Sequence, residues 1–231
     1  MSVRKVPLCD EEYFHVYSRG NSKQKIFKDD EDYEHFIKLL YVSNTFSKYK
    51  FRNDVIDKDI DVFDYDRVEP IVSIGAWTLM PNHFHIYIIT SKNSDWWDQV
   101  ERNRISEFMR KVLTAYTLYF NKKYERTGGL FEGKFKSVHV SSDNQARYLF
   151  SYIHLNCIKL IQKNWKEEGI KDIKKALEFL QTYKWSSYLD HKGIKRSENK
   201  ILDLDNFPKY FFDIKDFDKE ILMWLKYKDE K

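Results

Sequence analysis

The chain has 231 residues, 42% of them hydrophobic and 17% aromatic, with a formal charge of +4. That is apolar material for one domain with extensions. It excludes a disulfide scaffold, a cysteine zinc site and a membrane helix, because Cys9 and Cys157 stand far apart and no apolar run approaches the ~18 residues a bilayer requires. The N-terminal MSVRKVPLCDEEYF has no apolar stretch of the secretory kind, so a soluble, cytoplasmic protein is expected.

In chain order, Tyr13 to Arg19 alternates and is rich in aromatic and β-branched residues, which predicts a strand. Asp29 or Asp30 caps a helix running to about Phe46, with Tyr33, Phe36, Ile37, Leu40 and Tyr41 at helical spacing. Residues 50–69 are acidic and aperiodic and read as a long loop. Ile71 to Leu79 and His83 to Thr90 form two antiparallel strands around a Pro81-Asn82 turn. A helix from about Val100 to Tyr124 carries Ile105, Phe108, Met109, Val112, Leu113, Tyr116 and Phe120 on one side, and Thr127-Gly128-Gly129 ends it. Phe135 to Val140 is a short strand. Ser142 or Asp143 caps a helix from Asn144 to about Ile161, and a further helix runs from about Asp172 to Thr182. The order β-α-β-β-α-β predicts an α+β fold, the ferredoxin-like split arrangement of an antiparallel sheet with helices, plus a helical C-terminal extension. Residues 1–165 are expected to hold the functional domain, with the acidic insert at 50–69, and 166–231 the extension.

Charge is uneven. Between Glu101 and Trp165 there are twelve Lys/Arg against five Asp/Glu, whereas Lys50 to Pro70 holds four basic and seven acidic residues. A basic block is a weak pointer to a polyanionic partner; from charge alone a solvated helix face is the favoured reading.

Two features carry chemistry. In MPNHFHIYII, Met80 to Ile89, the strand period puts His83 and His85 side by side on one face and Phe84 on the other. Two adjacent imidazoles make half of a metal site; a bare pair also suits a polar corner. In the helix NQARYLFSYIHLNCIKLI, Tyr148, Tyr152 and Asn156 fall one turn apart on one face, while Leu149, Ile153 and Leu160 form a separate apolar stripe. The tyrosines read either as an active-site edge or as packing residues with wet hydroxyls.

The motif MPNHFHIYI resembles the HUH motif (His, hydrophobic, His) of the single-tyrosine transposases, which include insertion-sequence transposases and the REP-associated tyrosine transposases. Other segments agree in order. HVYSRGNSKQKIF at His15 to Phe27 is similar to the family's first strand and Arg-Gly-Asn turn. TGGLFEGKFKS at Thr127 to Ser137 resembles its Gly-rich segment, and YLFSYIHLN at Tyr148 to Asn156 its catalytic helix. WSSY at Trp185 to Tyr188 recurs in the REP-associated branch, so the likeness spans roughly Tyr13 to Tyr188. One departure is Cys157, where the family usually has Pro after the amide residue.

The resemblance implies a single-stranded DNA endonuclease-ligase acting in DNA transposition or recombination of a mobile element. Tyr152 matches the nucleophile, with Tyr148 as its rival. His83, His85 and Asn156 match the ligands of a divalent metal, Mg²⁺ or Mn²⁺. Tyrosine attack on the scissile phosphate leaves a 5′-phosphotyrosine link and a free 3′-OH, which a second strand end can reverse. His154 or Lys159 is a candidate to favour the phenolate. Arg19, Asn21, Lys134, Lys136 and Arg147 are the candidate DNA contacts. The implied partner is single-stranded DNA with hairpin ends, and the chain acts as monomer or homodimer. Competing readings are a domesticated DNA- or RNA-binding protein with the same fold and no cleavage, a replication initiator or relaxase, and a metal-dependent hydrolase without a covalent tyrosine.

Overall fold

The computed structural model describes residues 7–46, 60–90, 103–209 and 213–226. Strand β1, Phe14–Arg19, alternates as its sequence requires: Phe14, Val16 and Ser18 are buried, while His15 and Tyr17 line the other face. Helix α1, Asp30–Val42, is capped by Asp29, whose side chain accepts from the Asp32 amide. Strands β2, Val72–Met80, and β3, His83–Thr90, form an antiparallel hairpin over the Pro81-Asn82 turn. Helix α2, Arg104–Lys123, and strand β4, Lys136–His139, complete the repeat of elements. The sheet order is β2-β3-β1-β4 with every pair antiparallel, the split arrangement expected from the element order.

Helices α1 and α2 cover the sheet face of Phe14, Val16, Phe84 and Ile86. Phe36 of α1 packs its ring 5.1 Å from Phe84 and 5.0 Å from Tyr116 of α2. Phe84 is fully buried, so the residue between the two histidines fixes β3 to this core. Asp32, buried at the first turn of α1, accepts from the hydroxyls of Tyr119 in α2 and of Tyr124 just past its end, and pairs with Lys123 of α2. A buried carboxylate needs such partners, and here they lock the two helices together.

Helix α3, Asp143–Leu155, lies on the opposite face and is capped by Ser142. Short helices α4, Trp165–Glu168, α5, Ile173–Thr182, and α6, Tyr188–His191, follow, and α7, Ile214–Lys226, closes the chain. The Trp-Ser-Ser segment before α6 runs beside β2: the Leu79 amide donates to the Trp185 carbonyl and the Ser187 amide to that of Trp77, each at 2.9 Å. Phe217 of α7 is fully buried, with Phe150, His154, Tyr188 and His191 around it. The hydrophobic core therefore runs without a break across position 165.

Several elements differ from expectation. Helix α2 ends at Lys123, within a residue of the expected Tyr124, but the left-handed turn that follows falls on Glu125, with φ 49°, ahead of the glycine pair. The expected start of α2 at Val100 lies outside the described residues. The helix expected to reach Ile161 becomes a 3₁₀ helix over Asn156–Leu160. That tighter winding turns later residues ahead of the α-helical phase, so Leu160 leaves the apolar stripe and is 44% exposed. Of the acidic stretch, residues 50–59 lie outside the described residues; the remainder forms a 3₁₀ turn at Val62–Asp64 that buries Val62 and Phe63.

Gly20 follows β1 and ties it to the histidine hairpin: its amide donates to the Asn82 carbonyl at 2.8 Å. A Cβ there would collide with the Gln24 carbonyl oxygen and lie 2.9 Å from Ile26 Cγ2. Backbone cannot yield as a flexible side chain does. Gly20→Ala is therefore expected to lower the free energy of unfolding by about 1–3 kcal/mol, as overpacking does; urea denaturation measures it.

Candidate active site

The alternation of β3 turns His83 and His85 to the face opposite Phe84. Across the ladder Arg19 stands opposite His83 and Tyr17 opposite His85 on β1, and Met80 and Thr78 stand opposite them on β2. The two imidazoles are 5.1 Å apart and almost perpendicular. His83 Nδ1 lies 2.6 Å from Asn82 Oδ1, and Asn82 Nδ2 donates to the Lys23 carbonyl at 3.3 Å. That second bond fixes the amide, so Oδ1 faces His83 and can only accept. The proton of neutral His83 accordingly sits on Nδ1.

A third histidine joins them. His15 of β1 stacks on His85 at 4.9 Å, and its Nε2 is 2.8 Å from His85 Nδ1. Tyr17 stacks on His15 in turn, at 5.0 Å.

Helix α3 supplies the opposite wall. The edge-on ring of Tyr152 is 5.5 Å from His85 and 6.2 Å from His15. Tyr148 is a turn further out, parallel to Tyr152 at 6.0 Å and 42% exposed. It meets Trp224 of α7 rather than a histidine. Asn156, at the junction of α3 with the 3₁₀ helix, is fully buried. It is near enough to raise the proton affinity of His83 and lower that of Tyr152, yet neither its Oδ1 nor its Nδ2 makes a hydrogen bond of good geometry within the protein. A buried amide left without partners is costly, and a bound ligand would satisfy it. Among the described residues no three His, Cys, Asp or Glu side chains converge on one point. A metal here would take two imidazoles and the Asn156 carboxamide, a set that suits a borderline divalent cation and leaves positions for phosphate oxygens and water. The residues present fit such an ion.

Burial sets the charges. It pushes His83 down to about 4, helped by the Lys159 ammonium, and His15 also to about 4, helped by Lys166. His85 falls well below the usual histidine range for the same reason, with its neighbouring histidines next in effect. All three rings are uncharged at neutral pH, so each has a lone pair. Burial raises Tyr152, against the lowering effect of Asn156. Two cations stand over that phenol: Lys166 Nζ lies 3.7 Å and Lys159 Nζ 5.9 Å from its ring centroid. Lys166 also donates to the Tyr148 hydroxyl at 3.4 Å. His154 does not belong to this group. It is fully buried on the other side of α3, bonded to the Phe150 carbonyl and to Ser187 Oγ at 2.9 Å each, so it cannot act on Tyr152.

The candidate DNA contacts divide. Arg19 and Lys136 are exposed and share the histidine face, Lys136 standing opposite Tyr17. Arg19 forms a bidentate pair with Glu132. Asn21 is exposed in the turn after β1, its amide donating to the Leu130 carbonyl at 2.9 Å. Lys134 is exposed in the loop before β4. Arg147 points elsewhere: it pairs at 3.0 Å with Glu220 of α7, which also accepts from Trp224. Among the described residues no helix is long and apolar enough to cross a membrane.

The chain is similar in structure to a REP-associated tyrosine transposase bound to a REP hairpin. The TM-score is 0.47 at 12% identity, over 86% of this chain and 90% of that one. No protein-family model matches the sequence. No curated protein matches it either.

Sequence reasoning missed His15 and Lys166 as parts of the site. His15 had a signal: His15, Tyr17 and Arg19 take alternate positions of β1, the same pattern as His83 and His85. Lys166 had none, because only the chain reversal after the 3₁₀ helix brings it over Tyr152.

Proposed function

We propose that this protein is a transposase-type DNA strand transesterase that cuts single-stranded DNA, at hairpin ends, with Tyr152 as nucleophile. The observation that supports this most is the meeting of the Tyr152 ring with His85, with the buried Asn156 amide close to both His83 and Tyr152. The ordered motifs from His15 to Tyr188 support the same reading.

In this reading Tyr152 Oη attacks the scissile phosphorus. The Oη–P bond forms, the bond from phosphorus to the 3′ oxygen breaks, the phenol gives up its proton and the departing oxygen takes one up. The 5′-phosphotyrosine link retains the phosphodiester, so another 3′-OH can attack it and rejoin DNA. Burial raises Tyr152 above the ordinary ~10 of a phenol, and Lys159 and Lys166 offset this once phosphate arrives, by stabilising negative charge on the phosphate and the phenol oxygen. His83, His85 and Asn156 would hold Mg²⁺ or Mn²⁺, which when bound polarises a phosphate oxygen. Arg19 and Lys136 guide the strand along the histidine face.

The test is incubation with a labelled single-stranded hairpin DNA and Mn²⁺, followed by a denaturing gel. A labelled protein–DNA adduct is expected. Cleavage without an adduct points to a hydrolase, and tight binding without cleavage to a binding protein; either would overturn the proposal. Lys166→Ala is expected to slow adduct formation about 10²-fold, the scale of losing one preorganised charge-stabilising donor, as single-turnover kinetics would measure.

A further inference from the structure

The two β3 histidines each have Nδ1 occupied, and the ring nitrogen left on each is Nε2. For His83 the bond direction is forced, because Asn82 Oδ1 only accepts. For His85 it is open: either ring of the His15–His85 pair can be the donor. The direction decides what His85 can do. If His15 donates, the proton of neutral His85 lies on Nε2 and that nitrogen has no lone pair. If His85 donates from Nδ1, Nε2 is free to bind a cation.

We propose that His15 is a positioning residue of the candidate metal site, accepting at Nε2 from His85 Nδ1–H and so presenting His85 Nε2 as a ligand. This rests on the reading of His83, His85 and Asn156 as metal ligands. The geometry supports it three ways. The 2.8 Å contact is a full hydrogen bond. The stack of Tyr17, His15 and His85, at 5.0 and 4.9 Å, prevents His85 from turning about its axis. Asn82 holds its partner His83 in the matching tautomer. A ligating imidazole is held in orientation by an acceptor on its other nitrogen, and loss of that acceptor weakens metal binding about 10- to 100-fold.

The experiment titrates the full chain with Co²⁺, followed by calorimetry and visible absorption, in the wild type, His83→Ala, His15→Phe and His15→Gln. His15→Phe keeps an aromatic ring on His85 and removes the acceptor; His15→Gln restores one. The expected result is Co²⁺ binding in the wild type, loss in His83→Ala, affinity about 10- to 100-fold weaker in His15→Phe, and recovery to within about threefold in His15→Gln. If the wild type binds no Co²⁺, or His83→Ala binds it as tightly, the metal reading itself fails. If those controls behave and His15→Phe binds like the wild type, the positioning role alone is overturned. A measurement without any variant decides the same point should His15→Phe not fold. Long-range ¹H–¹⁵N spectra of the Zn²⁺-loaded protein should show His15 with its proton on Nδ1 and a bare Nε2; a proton on His15 Nε2 overturns the proposal.

Discussion

Tyr152→Phe is expected to remove the protein–DNA adduct, slowing its formation by about 10⁴-fold or more, the scale of losing a nucleophile. Tyr148→Phe is expected to change it by less than about threefold. Only one of the two phenols meets the histidines: Tyr152 touches His85 and His15, and Tyr148 touches Tyr152 and Trp224. The Phe variant keeps the ring and its packing, so the melting temperature should hold within a few degrees and a loss of adduct cannot be ascribed to unfolding. Denaturing gels and circular dichroism on the same samples measure both. An adduct lost in Tyr148→Phe and kept in Tyr152→Phe would move the nucleophile one turn outward.

A second large effect is expected in acid. His154 and His191 are buried beneath α7 and bonded to Ser187 Oγ and the Gly75 carbonyl. Burial pushes His191 down to about 4 and His154 well below the usual range. In the unfolded chain the same rings titrate near ~6.5. Between those values the unfolded chain binds a proton that the folded chain does not, so stability falls as the pH falls. A histidine like His191 contributes about 2 kcal/mol of this loss by pH 5, and His15, His35 and His83 are lowered to about 4 as well. The melting temperature should therefore drop steeply from pH 7 to pH 5, with net proton uptake on unfolding in calorimetry. A flat profile over that range would contradict the burial of these rings.

What could be read in advance follows from how far a signal extends along the chain. The strand His83–Thr90 is found residue for residue, because its alternation and its Pro-Asn turn are local. The caps Asp29 and Ser142 are local too. So are the facing positions of Tyr152 and Asn156 one turn apart. Contacts across long separations leave no such trace. Nothing near Arg147 announces Glu220, and nothing near Trp77 announces Ser187.

The Trp185–Ser187 segment beside β2 limits how the chain can be divided. β2 is buried along its whole length, Val72 to Met80, and lies at one end of the sheet. Without residues 185–187 it would present a row of unpaired amides and carbonyls flanked by Ile74, Trp77 and Leu79, a template for adding strands from other molecules. A fragment ending near residue 165 would carry every proposed catalytic group except Lys166 and would be prone to aggregate through that edge. In the whole chain Trp185–Ser187 occupies that edge at Trp77 to Leu79 and leaves no room there for a strand from another molecule.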